Sequence, residues 1–460
     1  GSEMCIRDRY YIDGEVHIPT DNMLVIEPGC SIIFTGHYKF CVDSNAVLKA
    51  IGTEMDSIVF TAQDTVLTDS TGGYHGIRFY HSAEGCTLMY CKIEYGNTFG
   101  DWTDNCGGGI YCYYSSPTIA NSTIIGNSAD YGGGIFCRDN SSPTISNNTI
   151  IGNSADCGGG IYCNSSSPTI SNNTISGNSA VYDGGGICCL LSSPTISNNT
   201  IIGNSADKGG GIYCWFISDP TIFNTILWQN TASTGNEIYV DYCEYGGTPY
   251  PCTLFVAYTD IDPDECYIEG DTAGVIIWGA GNINTDPLFA DTLFHLSDGS
   301  PCIDAGAESV YVSVWDTVIY APEYDFEGGV RPHGAGWDIG ADEYGSSAIG
   351  EMAYNKPKEM GIFAYPNPFN SSCFIVIETP SFSPPYQGGD VPIIGTEGVS
   401  IAIYDLRGNL ISTPYPAGAG FVPLDKGDRN LASDRFQGVV WTPDKSLPSG
   451  IYLVRATIPQ

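Results

Sequence analysis

The sequence predicts an all-β chain: a right-handed parallel β-helix with three short strands per coil, followed by a small antiparallel β-sandwich. Three observations predict it. A unit of the form SSPTISNNTIIGNSADxGGGIYC recurs between Cys106 and Ala232. The proline of its PTI triplet is Pro117, Pro143, Pro168, Pro194 and Pro220, and its first glycine is Gly107, Gly132, Gly158, Gly184 and Gly209. Both series step by 25 or 26 residues, a period that marks a solenoid. The apolar pieces (PTI, NTI and GIYC) are short, β-branched or aromatic, and bounded by Asn, Ser or Gly, which reads as strand and turn. Glycine is in excess, 57 of 460 residues against an ordinary share of about 7%. Stacked coils would sit about 4.8 Å apart and cross over right-handedly, because strand twist favours that hand.

The period of two along a strand assigns the faces. In GIYC the Ile and Cys share a side. Ile110, Ile135, Ile161, Ile187 and Ile212, with Cys112, Cys137, Cys163, Cys189 and Cys214, are expected inside. The residue between them faces out: Tyr111, Phe136, Tyr162, Cys188 and Tyr213. The Ile of PTI (119, 145, 170, 196 and 222) forms a second inward stack. Asn121, Asn147, Asn172, Asn198 and Asn224 are expected to ladder at one turn, and Asn127, Asn153, Asn178, Asn204 and Asn230 at another, pairing amides from coil to coil.

Composition narrows the function. The chain carries 52 acidic and 17 basic side chains, a net charge of −35. Nucleic acid is a poor partner, since phosphate binding needs clustered Lys and Arg. No apolar run approaches the ~20 residues of a membrane span. No signal peptide is visible, and the run Met4 to Arg9 resembles translated adapter read-through. Residues 1–9 are therefore expected to be a non-native tract that includes Cys5, with native sequence from Tyr10 and a lost signal peptide.

The repeat resembles the right-handed parallel β-helix proteins of the pectate-lyase-like superfold. Ile18 to Phe34 and Ala50 to Ala62 look like early coils of that family. Residues 281–306 and Asp338 to Tyr344 (DIGADEY) look like the closing segment of secreted bacterial members. The resemblance covers about residues 15–345 and implies a β-helix over 10–300, its clean repeats at 106–232, and a closing cap at 301–346. It is specific for fold and silent on activity, because the superfold hosts enzymes, adhesins and fibres alike.

After a polar linker (347–361) comes a tract, 362–460, whose apolar stretches alternate with turn residues as in a small β-sandwich. Its order of YPNPFN, IAIYDLRGNLI and LPSGIYLVRA is similar to the C-terminal sorting domain of type IX secretion cargo. That resemblance implies export to the cell surface or medium, with the type IX machinery as a partner. Two departures stand out. Pro380 to Gly395 reads as an insertion, and the basic-apolar final strand of the family is missing after Gln460.

Eighteen cysteines in an exported protein suggest disulfides. The repeated cysteines instead fill one inward position, where a free thiol behaves as a small hydrophobe. Cys106 and Cys157 fall two coils apart, too far to bridge. A loop disulfide is expected among Cys243, Cys252 and Cys266. No paired CxxC motifs suggest zinc.

Polysaccharide cleavage is the best-known chemistry of the superfold, and its two forms find thin support. A lyase of this kind uses a basic residue, yet only Arg138 and Lys208 lie between Ile93 and Val330. A hydrolase needs two spaced carboxyls, and the family's signatures (NTD, DD, GHG, RIK) are absent from the repeats. His75-Gly76 has a passing likeness to GHG and reads as a surface loop; His295 and His333 read as structural. Two ladders remain. The outward row Tyr111, Phe136, Tyr162 and Tyr213 could stack sugar rings. The acidic row Asp130, Asp156 and Asp207, with Asp183 displaced by an insertion, could hold Ca²⁺. The sequence thus favours a binding, adhesion or structural role toward polysaccharide or surface glycan, with a hydrolase or lyase as the alternative.

Overall fold

The structure is a computed structural model. It describes residues 9–346, apart from 68–71, 101–103, 242 and 271–273, together with six strands between 362 and 457. Cys5 and the rest of the read-through tract, the linker and the tract Pro380 to Gly395 lie outside the described residues.

Residues 9–278 wind into a right-handed parallel β-solenoid. The GIYC segments build a ten-stranded parallel sheet from Val16–Ile18 to Cys266–Ile268. The PTI segments build a second of ten strands, from Met23–Ile26 to Gly274–Trp278. The NTI segments build a third of nine, from Arg9–Ile12 to Ile226–Trp228. The register follows the repeat: Ile110 pairs with Ile135, Ile135 with Ile161 and Ile161 with Ile187. The expected inward stacks are fully buried and join the NTI isoleucines in one continuous core.

The repeat holds a fourth strand that the three-strand reading missed. Ser154–Cys157, Ser179–Asp183, Ser205–Lys208 and Thr231–Thr234 form a further parallel sheet. The SAD tripeptide is polar and lacks the apolar period, so nothing marked it as strand. Backbone pairing of one coil to the next makes it one. The glycine triplet that follows returns the chain to the core. Its first residue lies at φ between 61° and 69° in all five repeats, a left-handed region that glycine enters without cost. Its middle residue touches the next coil: a Cβ on Gly159 would lie 2.5 Å from the Ser179 carbonyl oxygen and 2.6 Å from that of Gly185.

One asparagine ladder is where the sequence placed it. The Nδ2 of Asn127, Asn153, Asn178 and Asn204 each donates to the Oδ1 of the next member at 2.9 Å. The other is shifted by one residue. Asn148, Asn173 and Asn199 carry the amide ladder, at 3.0 Å per rung. The expected Asn121, Asn147, Asn172, Asn198 and Asn224 occupy left-handed corners, φ 46–57°. Asparagine tolerates that conformation better than other residues with a side chain.

Those corner amides are used by the closing segment. Asn172 Nδ2 donates to the Tyr324 carbonyl at 2.6 Å, and Asn224 exchanges hydrogen bonds of 2.8 and 3.0 Å with Ala307. Within the segment, buried Arg331 pairs with buried Glu343 at 3.1 Å and donates to the carbonyls of Gly340 and Ala341. The DIGADEY motif is therefore a carbonyl-and-carboxylate cradle around one arginine. A two-stranded antiparallel hairpin, Ser309–Val312 with Thr317–Tyr320, lies in the same segment.

The only helical element among the described residues is a turn at Pro263–Glu265, and none is long and apolar enough to cross a membrane. Cys243, Cys252 and Cys266 are free thiols, which corrects the expected loop disulfide. Cys252 is instead buried, its Sγ accepting from the Ser218 backbone N–H at 3.4 Å. The chain after Gly350 forms a separate unit. It contains two three-stranded antiparallel sheets: Ile362–Tyr365, Cys373–Glu378 and Phe436–Trp441, then Leu410–Ser412, Ser400–Tyr404 and Leu453–Thr457.

Glu237 ends the long ladder. Its carboxylate takes Nδ2 of Asn230 at 2.6 Å and the Asn230 backbone N–H at 3.3 Å. Burial raises its pKa to about 7, with those hydrogen bonds opposing. A raised carboxyl pKa means the folded chain holds the proton more tightly, so this group favours folding below its unfolded pKa of about 4.5. That contribution is lost as pH rises through about 7. Glu237→Gln, neutral throughout, is expected to flatten the fall in stability between about pH 5 and 8 by up to about 3 kcal/mol. Urea midpoints measured across that range check this.

Candidate functional site

The aromatic row is continuous and covered. Cys41, Arg78, Tyr111, Phe136, Tyr162, Cys188, Tyr213, Tyr239 and Tyr267 are successive rungs on the outward face of the GIYC sheet. Tyr111, Phe136, Tyr162 and Tyr213 are only 3%, 0%, 5% and 4% exposed. They form a second apolar cluster with Cys106, Cys188 and Tyr239, separate from the coil interior. Tyr131 and Cys157, from the segment leading to the glycines, pack on it, and the Tyr131 ring stacks on Tyr162 at 5.7 Å. The row faces outward as expected, yet it is not the open stacking surface the sequence suggested. The unrecognised SAD segment folds over it, and burial of these rings is what holds that segment down.

The acidic row is not assembled as a row of three. Asp130 and Asp156 come together beside a groove of about 320 Å³ lined also by Asn97, Phe99, Ser128 and Ser154. Partial burial and the Asp156 charge raise the Asp130 pKa. Asp207 is cut off from them, because the extra residue in the next coil puts Val181 and Tyr182 between. Asp183 falls in register with Cys157 and Lys208 instead. Among the described residues, no three His, Cys, Asp or Glu side chains gather as a metal site. Two carboxylates fall short of the six to eight oxygens that Ca²⁺ takes.

The structure also gathers carboxylates around Lys208, which the sequence did not reveal. Lys208 Nζ lies 3.4 Å from Asp241, 3.8 Å from Glu269 and 4.8 Å from the centre of the Tyr239 ring. The Tyr213 hydroxyl donates to Asp241. Burial pushes the Asp241 pKa up, but hydrogen bonds from Glu269 and Tyr213 and the Lys208 charge outweigh it and bring it below the usual value. The Glu269 pKa is raised, first by its hydrogen bond to Asp241. The other repeat cation, Arg138, is paired with Asp139 at 3.2 Å and lies over the Tyr113 ring at 5.7 Å. Both basic residues a lyase would have used are thus occupied in ion pairs.

A larger open site lies at the corners between the PTI and NTI strands. A groove of about 450 Å³ runs between the loop Thr53 to Ser57, the corners at Tyr90, Asn121 and Asn147, and Phe326 and Glu327 of the closing segment. Thr123, Thr149 and Lys92 also line it. The volume suits a small ligand or a stretch of a longer one. Its wall offers hydroxyls, amides, two rings and two carboxyls. Glu54 and Glu327 are both exposed. No single repeat unit contains this site, since its two sides are some 200 residues apart in the chain.

Comparison with known proteins agrees with the coil geometry. Residues 50–232 match the family model of the right handed beta helix region. That stretch is a right-handed β-helix. No curated protein and no solved structure matches the chain. His75 completes the placement of the sequence candidates. It is not in a surface loop but 4% exposed, against His37 and Arg78. His295 lies in the closing segment, 2.6 Å from Asp291, and His333 Nδ1 lies 3.2 Å from the Tyr344 carbonyl.

Phe136→Ala is expected to cost about 3–5 kcal/mol in chemical denaturation, as for a buried aromatic. A ring exposed for stacking would cost under about 0.5 kcal/mol, as surface substitutions do.

Proposed function

We propose that the chain is an exported protein, secreted or held at the cell surface, whose β-helix binds polysaccharide as an adhesion or structural module and does not cleave it. The observation that carries this reading is the 450 Å³ groove between the coil corners and the closing segment. Its hydroxyls and amides match the hydrogen-bonding needs of sugar hydroxyls, and Tyr90 and Phe326 offer apolar faces for ring contact. Export rests on the likeness of the C-terminal tract to type IX sorting domains, which makes that machinery the second partner. The net charge of −35 favours neutral glycans over acidic ones along most of the surface.

The hydrolase or lyase alternative has one observation in its favour: Asp241, Glu269, Lys208 and Tyr213 converge from successive coils. The two carboxyls there hydrogen-bond each other. Glycoside hydrolysis holds its pair roughly 5–9.5 Å apart. The cluster is better suited to a structural role.

Native affinity electrophoresis of the full chain through gels of neutral and acidic polysaccharide, with and without Ca²⁺, tests the reading. Retardation by at least one glycan is expected, with no new reducing ends. Phe326→Ala should weaken it about tenfold, the equivalent of about 1.4 kcal/mol. New reducing ends would overturn the non-catalytic reading. Retardation that Phe326→Ala leaves unchanged would take the binding away from this groove.

A further inference from the structure

The smaller groove, beside Asp130 and Asp156, is lined by acceptors that the fold does not use. Ser128 pairs with Ser154 and Tyr131 with Cys157, so the two aspartates are successive rungs, about 4.8 Å apart along the axis. Asn105 Nδ2 donates to one oxygen of Asp130 and leaves the other. Among the described residues neither carboxylate is in an ion pair. Partial burial and the neighbouring charge both penalise an ionised Asp130. Thr98 lines the same groove and is 3% exposed. Its backbone N–H donates to the Ser128 carbonyl at 2.9 Å, but its hydroxyl has no hydrogen-bond partner. A buried hydroxyl left unpaired is destabilising, and a donor on a ligand would relieve it.

Three acceptors with two charges call for a cation that brings three donors, and a primary ammonium group is that cation. Three oxygens about 2.9 Å from a tetrahedral nitrogen lie about 4.7 Å from one another, close to the spacing of adjacent coils. Ca²⁺ would need about twice as many oxygens. The surroundings favour a sugar as the carrier of the amine. Ser128 and Ser154 line the groove, and their register line continues through Ser179, Ser205 and Thr231. Ser154, Ser179 and Thr231 are exposed, so a track of hydroxyls leads away from the carboxylates along the solenoid. Phe99 adds a ring for apolar contact with a sugar. A groove of about 320 Å³ suits one end of such a chain, and the net charge of −35 draws polycations toward it.

We propose that Asp130, Asp156 and Thr98 bind the ammonium group of an amino sugar, part of a glucosamine-type polysaccharide whose chain follows the hydroxyl track. This groove shares no residue with the one at the coil corners, so the two sites stand or fall separately.

The test is isothermal titration calorimetry of the full chain with the glucosamine trimer, at constant ionic strength in a mildly acidic buffer that keeps the amines protonated. Saturable binding is expected, at least about tenfold tighter than that of the N-acetylglucosamine trimer, which has the same rings without the ammonium groups. Asp156→Asn and Thr98→Val should each weaken it about tenfold. Asp298→Asn, which removes an exposed charge elsewhere, should not. Thr98→Val takes away an unpaired hydroxyl and should not lower Tm, which separates lost binding from lost folding. No binding, equal affinity for the acetylated trimer, or equal losses in Asp156→Asn and Asp298→Asn would each overturn the proposal. Tighter binding of trilysine than of the glucosamine trimer would give the groove to a peptide and overturn it as well.

Discussion

The amide-to-amide hydrogen bond between coils is the constraint on which the rest of this structure depends. Asn178 shows it. Its Oδ1 accepts from the backbone N–H of Asn153 at 3.0 Å and from the Asn153 amide at 2.9 Å. Its Nδ2 donates to the Ile150 carbonyl and to Asn204 Oδ1, both at 2.9 Å. One side chain thus satisfies buried groups on both neighbouring coils. A slip of one residue would break all four bonds and turn the isoleucine stack outward. The 25–26-residue period is the sequence's record of that constraint. Each ladder also needs an end: the Asn127 Oδ1 takes the Gly96 N–H at one side, and Glu237 closes the other.

With the coil register fixed, everything between the asparagines and the next strand must repeat in space. The SAD segment and the glycine triplet therefore fall in the same place on each coil and pair into a sheet over the aromatic row. This buries the most conspicuous pattern in the sequence. Rings that looked like a sugar platform are a second core, and an open groove lies instead where the helix corners meet the closing segment. The two structures that frame that groove share a cause: left-handed asparagine corners present amides outward, and the backbone of the closing segment takes them up.

The fold was legible because its signals are periodic. Isoleucine and cysteine stacks, turn glycines and the ladder through Asn127 to Asn230 all follow from spacing alone. What was lost depended on contacts the spacing does not record. Which member of an Asn-Asn pair stacks and which turns the corner depends on backbone φ, and both occur at the same period. The SAD strand has no apolar alternation, so only pairing between coils reveals it. In the Asp130–Asp156–Asp207 series the spacing showed the inserted residue before Asp183, but not that the register shift there breaks the row in space. The open groove joins residues from distant parts of the chain, and His75 is buried against His37 and Arg78. No local pattern could have shown either.

The ladder's role is open to one direct measurement, the free energy of unfolding of Asn178→Ala from urea denaturation monitored by circular dichroism. Truncation leaves the Ile150 carbonyl, the Asn153 N–H and the facing amides unpaired in a buried site. At ~1–3 kcal/mol for an unsatisfied buried group, the account predicts a loss of at least about 3 kcal/mol. A loss under about 0.5 kcal/mol, the scale of a neutral surface change, would contradict it.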